Sequence, residues 1–171
     1  ASTGGGDAGT DVVVSIPASV GTITLTASFL AYNGGTGGAH AFTLNGSGNT
    51  VQQATAGEEL ISDGSSGLFT VNGLTLTGGT NSTDGGAIQA AGALTVTNST
   101  ISGNTTAGNG GAIVEVGAGD VTVTNSTISG NVSNGGEGGA IDQSNGNVIV
   151  TSSTISGNTV TNGGGAEGGA I

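Results

Sequence analysis

The acidic residues are the side chains in this sequence whose type and number suggest chemistry. Two carboxylates flanking a sugar suffice to hydrolyse a glycosidic bond. A carbohydrate site usually also offers aromatic side chains for the sugar to stack on, and all four aromatic residues lie at or before Phe69, ahead of the near-identical repeat copies. We therefore predict that the carboxylates keep the surface solvated and that the protein is not an enzyme. The candidate carboxylates are Asp84, Glu115, Glu137, Asp142 and Glu167; the aromatic residues are Phe29, Tyr32, Phe42 and Phe69.

Some of these carboxylates recur at one position of a repeat. The tetrapeptide Gly-Gly-Ala-Ile occurs at 85–88, 110–113, 138–141 and 168–171, and it is preceded by Asp84, Asn109, Glu137 and Glu167. If the copies lie in register, these side chains form a column along one edge. Because like charges repel, the column either extends into water or collects a cation such as Ca²⁺, which takes oxygen ligands. The candidate metal ligands are Asp84, Glu137 and Glu167; no other cofactor is expected.

The composition argues against several functions. The chain of 171 residues has 38 Gly, no Cys, no Lys or Arg, and a formal net charge of −11. Without basic residues it cannot neutralise phosphates, so we expect no binding to nucleic acid or to an anionic membrane. Abstraction of a proton by a basic residue, as in polysaccharide lyases, is disfavoured for the same reason. His40 has no second His or Cys beside which to form a site, and no apolar run reaches the roughly 20 residues that span a bilayer.

A long internal repeat determines the predicted fold. The stretch TVTNSTISGN at 95–104 returns at 122–131 and, as IVTSSTISGN, at 149–158, so successive copies start 27 residues apart. Self-similarity at a fixed period is typical of solenoids, in which each turn stacks on its copy. Every period contains three strand-like pieces, and the insertions fall in the Gly- and Asn-rich loops before Gly-Gly-Ala-Ile. We predict an all-β, right-handed parallel β-helix of about six turns with three strands per turn.

The alternation of apolar residues with Thr predicts which side chains face inward. One turn cannot bury its own apolar face, so aliphatic residues must stack on their copies in neighbouring turns. We also expect Asn98 and Asn125 to face inward and to form an amide ladder, which Ser152 interrupts. Residues 1–10 are predicted to be a flexible lead or cap, 11–67 irregular first turns, and 68–171 regular repeats. The predicted core columns are Val96, Val123 and Val150; Ile101, Ile128 and Ile155; and Ile88, Ile113 and Ile141.

With the motifs GGAI and NSTISGN, the chain resembles right-handed parallel β-helix repeat proteins, in particular those of the polymorphic outer-membrane-protein and autotransporter-adhesin type. The resemblance covers about 68–171 strongly, and 11–67 is similar to the opening turns of such proteins. It implies a bacterial protein that lies outside the cell or on its surface. One feature departs from the family: the usual Phe-x-x-Asn motif appears as Ile101-Ser102-Gly103-Asn104.

The last four residues are Gly-Gly-Ala-Ile, where each earlier copy continues into another turn. Open solenoid ends expose unpaired backbone groups that invite another chain. We expect an extracellular structural subunit that stacks head to tail on itself into a filament or stalk, with Asp11–Ile16 as a strand given to a neighbour. The residues expected to mediate assembly are Val12, Val13, Val14, Ile16, Ala170 and Ile171.

Two other functions stay open. The chain is alternatively a fragment of a larger surface adhesin, or of a carbohydrate-binding or carbohydrate-processing β-helix; a surface or polysaccharide ligand is compatible with either. The other is ice binding, because Thr side chains form regular columns on the outer face of the sheet if the repeats are in register. The columns in question are Thr97, Thr124 and Thr151, and Thr100, Thr127 and Thr154.

Overall fold

The computed structural model describes residues 11–26, 29–33, 40–161 and 168–171. These residues form short strands separated by turns, together with one turn of 3₁₀ helix at Ala18–Val20. Runs rich in Val, Ile and Thr between Gly, Asn and Ser favour this arrangement. In chain order the strands are β1 (Val12–Ser15), β2 (Thr22–Leu25), β3 (Leu30–Tyr32), β4 (Phe42–Gln53), β5 (Ile61–Asp63), β6 (Phe69–Thr77), β7 (Thr80–Asn81), β8 (Ile88–Ala90), β9 (Leu94–Thr97), β10 (Thr100–Ser102), β11 (Thr105–Thr106), β12 (Ile113–Glu115), β13 (Val121–Thr124), β14 (Thr127–Ser129), β15 (Val132–Ser133), β16 (Ile141–Gln143), β17 (Val148–Thr151), β18 (Thr154–Ser156) and β19 (Thr159–Val160).

The named strands pair in parallel, each with the equivalent strands of the turns before and after it. The chain is therefore a right-handed parallel β-helix, and the predicted fold is confirmed. The second sheet is β3, β5, β8, β12 and β16; the third sheet is β7, β11, β15 and β19; the remaining strands form the first sheet. Along the first sheet the successive rungs are β1 with β2, β4, β6, β9 with β10, β13 with β14, and β17 with β18.

A regular turn contains the three predicted strand pieces and one further short strand. In one such turn, β9 and β10 belong to the first sheet and β12 belongs to the second sheet. Between them Thr105–Thr106 forms β11, which pairs with β7 and β15 in the third sheet. Two residues are too few for a visible alternation, so the sequence pattern alone assigns them to a loop.

Columns of aliphatic side chains fill the interior. Val96 lies opposite Val123, and Ile101 lies opposite Ile128; all four are fully buried. Ile88, Ile113 and Ile141 also lie in one register and are fully buried. The last first-sheet rung differs, because no described residue covers it. Val150 continues its column but is 40% exposed, and Ile155 is only partly buried.

The amide ladder is formed by other residues than expected, and the expectation that Asn98 and Asn125 face inward is wrong. Asn98, Asn125 and Ser152 adopt left-handed backbone conformations, with φ of 49°, 50° and 50°, and they lie exposed at a corner. Asn104, Asn131 and Asn158 form the ladder instead, and all three are buried.

In this ladder each amide bonds to the next turn. The side-chain amide of Asn104 donates to Oδ1 of Asn131 (2.9 Å), and that of Asn131 donates to Oδ1 of Asn158 (2.9 Å). The same oxygens accept the backbone N–H groups of Asn104 and Asn131 (both 3.0 Å). Each buried amide is thus satisfied by its copy, as buried polar groups require.

The second Gly of the Gly-Gly-Ala-Ile motif lies where two turns approach most closely. A Cβ atom on Gly111 would overlap the carbonyl oxygen of Gly139 in the next turn, and a Cβ on Gly139 would overlap that of Gly169. Only Gly allows the backbones to meet here. The repeated motif is therefore a packing requirement of the coil.

The first strand belongs to its own helix. Val12–Ser15 pairs with Phe42–Asn45 of the same chain, which corrects the expectation that this strand is given to a neighbour. Its outward and end-facing side chains remain exposed, including Val12, Val13 and Val14, whereas Ile16 packs partly against the core. At the other end, Ala170 accepts hydrogen bonds from the N–H groups of Ala140 and Ile141, and Ile171 is exposed.

Candidate functional site

The structure places Asp84, Asn109 and Glu137 in successive turns at one outer corner, as their shared position before Gly-Gly-Ala-Ile predicts. The backbone N–H of Asn109 donates to Oδ1 of Asp84 (2.7 Å). The N–H of Glu137 donates to Oδ1 of Asn109 (2.8 Å). In each case a side chain binds the backbone of the following turn, so this column, which we call the outer acidic column, fastens one turn to the next. Glu167 lies outside the described residues.

Asp142 joins this column from the second sheet. Burial raises the pKa of the Asp142 carboxyl, and the negative charges of Glu137 and Asp84 raise it further, against a smaller lowering by hydrogen bonds that include the Asn109 side chain. Three of the carboxylates considered for hydrolysis thus share one patch of negative potential. Within the described part of the chain, no group of three or more His, Cys, Asp or Glu has the arrangement of a metal site.

Three of the four aromatic residues stack on one another and do not form a platform for a sugar. Tyr32 stacks on Phe42 with ring centroids 4.4 Å apart, and Phe42 stacks on Phe69 at 5.2 Å. Phe69 is fully buried and Phe42 packs against the core. These rings continue the interior columns toward the first turns, so their surfaces are used in packing.

Glu115, the remaining described candidate, faces the interior at a second place. It lies in register with Ala90 and Gln143, and Ala90 lies in register with Asp63. We call this column of Asp63, Ala90, Glu115 and Gln143 the inner corner column. Asp63 is 1% exposed and Glu115 is fully buried, so two carboxyl groups are enclosed at one corner of the coil.

One oxygen of each long polar side chain in the inner corner column closes the turn that follows its strand. Oδ1 of Asp63 accepts the N–H of Ser65 (3.0 Å), and Oε1 of Glu115 accepts the N–H of Gly117 (2.8 Å). Gln143 does the same through Oε1, which accepts the N–H of Asn145 (2.8 Å). Burial raises the pKa of the Asp63 carboxyl, and hydrogen bonding by Ser65 lowers it by less.

The sequence contains a signal for this buried pair. In a strand that begins with a buried Ile, the residue two positions later faces the same side. Ile61 precedes Asp63 and Ile113 precedes Glu115 at this interval. Because carboxylates usually lie at the surface, this inward parity of Asp63 and Glu115 is easily missed in the sequence.

The outer face of the first sheet carries ordered Thr columns. Thr95 lies opposite Thr122, and Thr97 lies opposite Thr124, which in turn lies opposite Thr151. A third column is unbroken over the whole length of the sheet. Its members are Thr22, Thr50, Thr75, Thr100, Thr127 and Thr154.

Compared with models of protein families, with curated protein sequences and with solved structures, the chain matches none of them. The described residues contain no helix with the length and apolar character that crossing a membrane requires.

Proposed function

We propose that this chain is an extracellular structural subunit whose β-helices stack head to tail into a filament or surface stalk. The observation that carries the proposal is the exposure of apolar residues on the end rungs. Val150 is 40% exposed although its equivalent Val123 is fully buried, and Val12 and Val14 in the first rung are 38% and 42% exposed. Apolar rungs with free strand edges are stabilised when another rung covers them.

The two end rungs also match each other. Two interior columns run the length of the first sheet: Val14, Leu44, Val71, Val96, Val123, Val150; and Ile23, Val51, Leu76, Ile101, Ile128, Ile155. If the first rung of one molecule lies on the last rung of another, Val14 meets Val150 and Ile23 meets Ile155. Both columns then continue with aliphatic side chains. Such a contact is heterologous and does not close, so it generates a filament.

Charge and sequence likeness support the same proposal. The net charge of −11, with no basic residue, makes the polar sides of neighbouring filaments repel each other. Salt screens repulsion between exposed charges beyond about 10 Å at 0.1 M, so lateral bundling of filaments should increase with ionic strength. The likeness of the GGAI and NSTISGN motifs to those of surface proteins of the polymorphic outer-membrane and autotransporter-adhesin type supports this role.

Sedimentation velocity and negative-stain microscopy of the purified chain, over a series of protein and salt concentrations, test this proposal. We expect unbranched filaments one β-helix wide, with a mass that grows with concentration. The matched variants are Val150→Asp, which puts a charge on the end rung, and Ile149→Asp, which changes the adjacent outward side chain of the same strand. The first should block assembly and the second should not.

Two results would refute the proposal. A chain that stays monomeric at every concentration and salt would rule out head-to-tail stacking. Filaments that survive Val150→Asp as well as Ile149→Asp would show that the end rungs are not the contact. Circular dichroism on both variants verifies that each keeps its β-structure.

The unbroken Thr column favours ice binding as a second candidate function. Six Thr residues stand in register on one face, about 4.8 Å apart from rung to rung, with further Thr columns beside them. Such an array presents hydroxyl and methyl groups at regular intervals in two dimensions. Thermal hysteresis measures this activity directly. Thr100→Tyr, in the middle of the column, should abolish it, whereas Thr105→Tyr on the third sheet should not; hysteresis that persists in Thr100→Tyr would exclude this face.

A further inference from the structure

Buried polar atoms without a hydrogen-bond partner gather at one corner of the described structure. They are His40 Nε2, Asp63 Oδ2, Ser65 Oγ and Glu115 Oε2. All four belong to the end of a second-sheet strand or to the connection from the second sheet to the first. Three of the four are oxygen atoms, and two of those belong to carboxyl groups. Buried polar groups in folded proteins nearly always have a partner, so such a group of unpartnered atoms indicates a missing one.

The chain itself offers little with which to neutralise these carboxyl groups. It contains no Lys or Arg, and His40 is its single His. An ionised carboxylate that is buried without a counter-charge is strongly destabilising. Asp63 and Glu115 are almost completely buried, so each carboxyl group is either protonated or, when ionised, needs a positive charge beside it, and a bound cation supplies that charge.

Gln143 shows what Glu115 lacks. Both side chains accept, through Oε1, the N–H of the residue two positions later. The second terminal atom of Gln143 is Nε2, which donates to the carbonyl of Gly119 in the preceding turn. Glu115 carries an oxygen at the equivalent place, and that oxygen has no partner. The Nε2 atom of Gln143 is satisfied by a carbonyl group of the chain, whereas Oε2 of Glu115 needs a hydrogen-bond donor or a cation.

The register places the two carboxyl groups in one column, two rungs apart. Asp63 and Glu115 both pair with Ala90, one from the turn before and one from the turn after. Two rungs separate their Cα atoms by about 10 Å, and the residue in register between them is Ala90, whose side chain is a single methyl group. The Ser65 backbone N–H bonds to Oδ1 of Asp63, which brings Ser65 Oγ to the same corner, and this hydroxyl has no hydrogen-bond partner.

We propose that this corner binds a divalent cation of the Ca²⁺ kind, with Asp63 Oδ2 and Glu115 Oε2 as carboxylate ligands and Ser65 Oγ as a third oxygen. Ca²⁺ takes six to eight oxygen ligands at about 2.3–2.6 Å in flexible geometry, so backbone carbonyls and water complete the shell. Mg²⁺ fits less well because it demands octahedral geometry and retains several waters. The site is separate from the outer acidic column and does not depend on filament formation.

Terbium luminescence tests the location of the ion, because Tb³⁺ replaces Ca²⁺ and is sensitised by a nearby tyrosine. The chain has one Tyr and no Trp. Tyr32 pairs with Asp63 in the adjacent turn, so Tb³⁺ at this corner should emit on excitation of the tyrosine, and Ca²⁺ should quench the emission by competition. Tyr32→Phe should remove the emission while preserving binding of Ca²⁺.

Thermal unfolding supplies the second readout. At about 100 times its Kd, Ca²⁺ should raise the Tm of the wild-type chain by about 5 °C or more relative to EDTA. Glu115→Gln should abolish both the Tm shift and the terbium emission, and Ser65→Ala should weaken both. Glu137→Gln, which alters the outer acidic column, is the matched control and should retain both.

Three results would overturn the proposal. In the first, wild-type protein shows neither sensitised emission nor a Ca²⁺-dependent Tm. In the second, Ca²⁺ raises the Tm but Tb³⁺ is not sensitised, which places the ion away from Tyr32. In the third, Glu115→Gln responds like wild type, or Glu137→Gln loses the response.

Discussion

Removal of the central amide of the interior ladder should destabilise the protein severely. In Asn131→Ala the lost amide no longer donates to the carbonyl of Ile101 (3.1 Å) or to Oδ1 of Asn158 (2.9 Å). The lost oxygen no longer accepts the backbone N–H (3.0 Å) and side-chain amide (2.9 Å) of Asn104. A hydrogen bond contributes about 1 kcal/mol net, and a buried group left without a partner costs about 1–3 kcal/mol. With four bonds lost, the free energy of unfolding should fall by about 4–8 kcal/mol.

Urea denaturation followed by far-ultraviolet circular dichroism measures this loss. A domain of ordinary stability, about 5–15 kcal/mol, would be left close to unfolding. Two further variants calibrate the result. Asn158→Ala loses three side-chain bonds near the end of the helix and should cost less. Asn125→Ala changes an exposed residue in a left-handed conformation and should cost about 1 kcal/mol.

The predicted order of destabilisation is therefore Asn131→Ala, then Asn158→Ala, then Asn125→Ala. If Asn131→Ala costs no more than Asn125→Ala, the interior amides do not hold the turns together and the reasoning fails. A destabilisation that is equal for Asn131→Ala and Asn158→Ala would contradict the count of bonds.

Three further predictions concern packing and charge. Gly111→Ala should reduce the free energy of unfolding by more than about 2 kcal/mol, because the new methyl group overlaps the backbone of the next turn. Gly130→Ala is the matched control: it has open space around it and should cost about 1 kcal/mol because of its positive φ. Ile128→Ala should cost about 2–5 kcal/mol and Ile155→Ala less, since Ile128 is fully buried and Ile155 only partly; urea denaturation compares both pairs. Burial raises the pKa of Asp63 above its ordinary value of 3.8, so the folded state binds more protons and its stability falls as the pH rises from 3.8 through the raised pKa. In EDTA, the Asp63→Asn variant should lack the part of this decline in the free energy of unfolding that Asp63 causes. A variant whose free energy of unfolding depends on pH as that of the wild type does would contradict the prediction.

The repeat and the aliphatic columns are readable from the sequence because strand parity and period act together. Val96 and Ile101 recur at a constant interval, and stacking in register is the arrangement that buries both. The same parity, counted straight through from Val96, places Asn98 inside. The left-handed turn at Asn98 resets the alternation, so Ser99 and Ile101 face inward instead.

The inner corner column was less accessible to prediction for an energetic reason. Carboxyl groups are usually solvated, and this general preference conflicts with the strand parity that places Glu115 inside. The Thr columns were predictable within the regular repeats, but their continuation to Thr22 depends on β2 pairing with β4. In β4 this pairing follows a shift of register against β6 between Asn45 and Asn49, and no repeat in the sequence indicates that shift.

The ladder of Asn104, Asn131 and Asn158 gives the fold a chemical direction. One N–H of each amide donates to the Asn of the following turn, and the other donates to a carbonyl of the preceding turn. The Asn-to-Asn bonds therefore all run in one direction along the axis, and hydrogen bonds linked in such a chain polarise one another. Two such helices joined by a two-fold axis would set the two directions against each other. A polymer of this subunit should therefore be polar, with a fast-growing and a slow-growing tip that real-time imaging can tell apart.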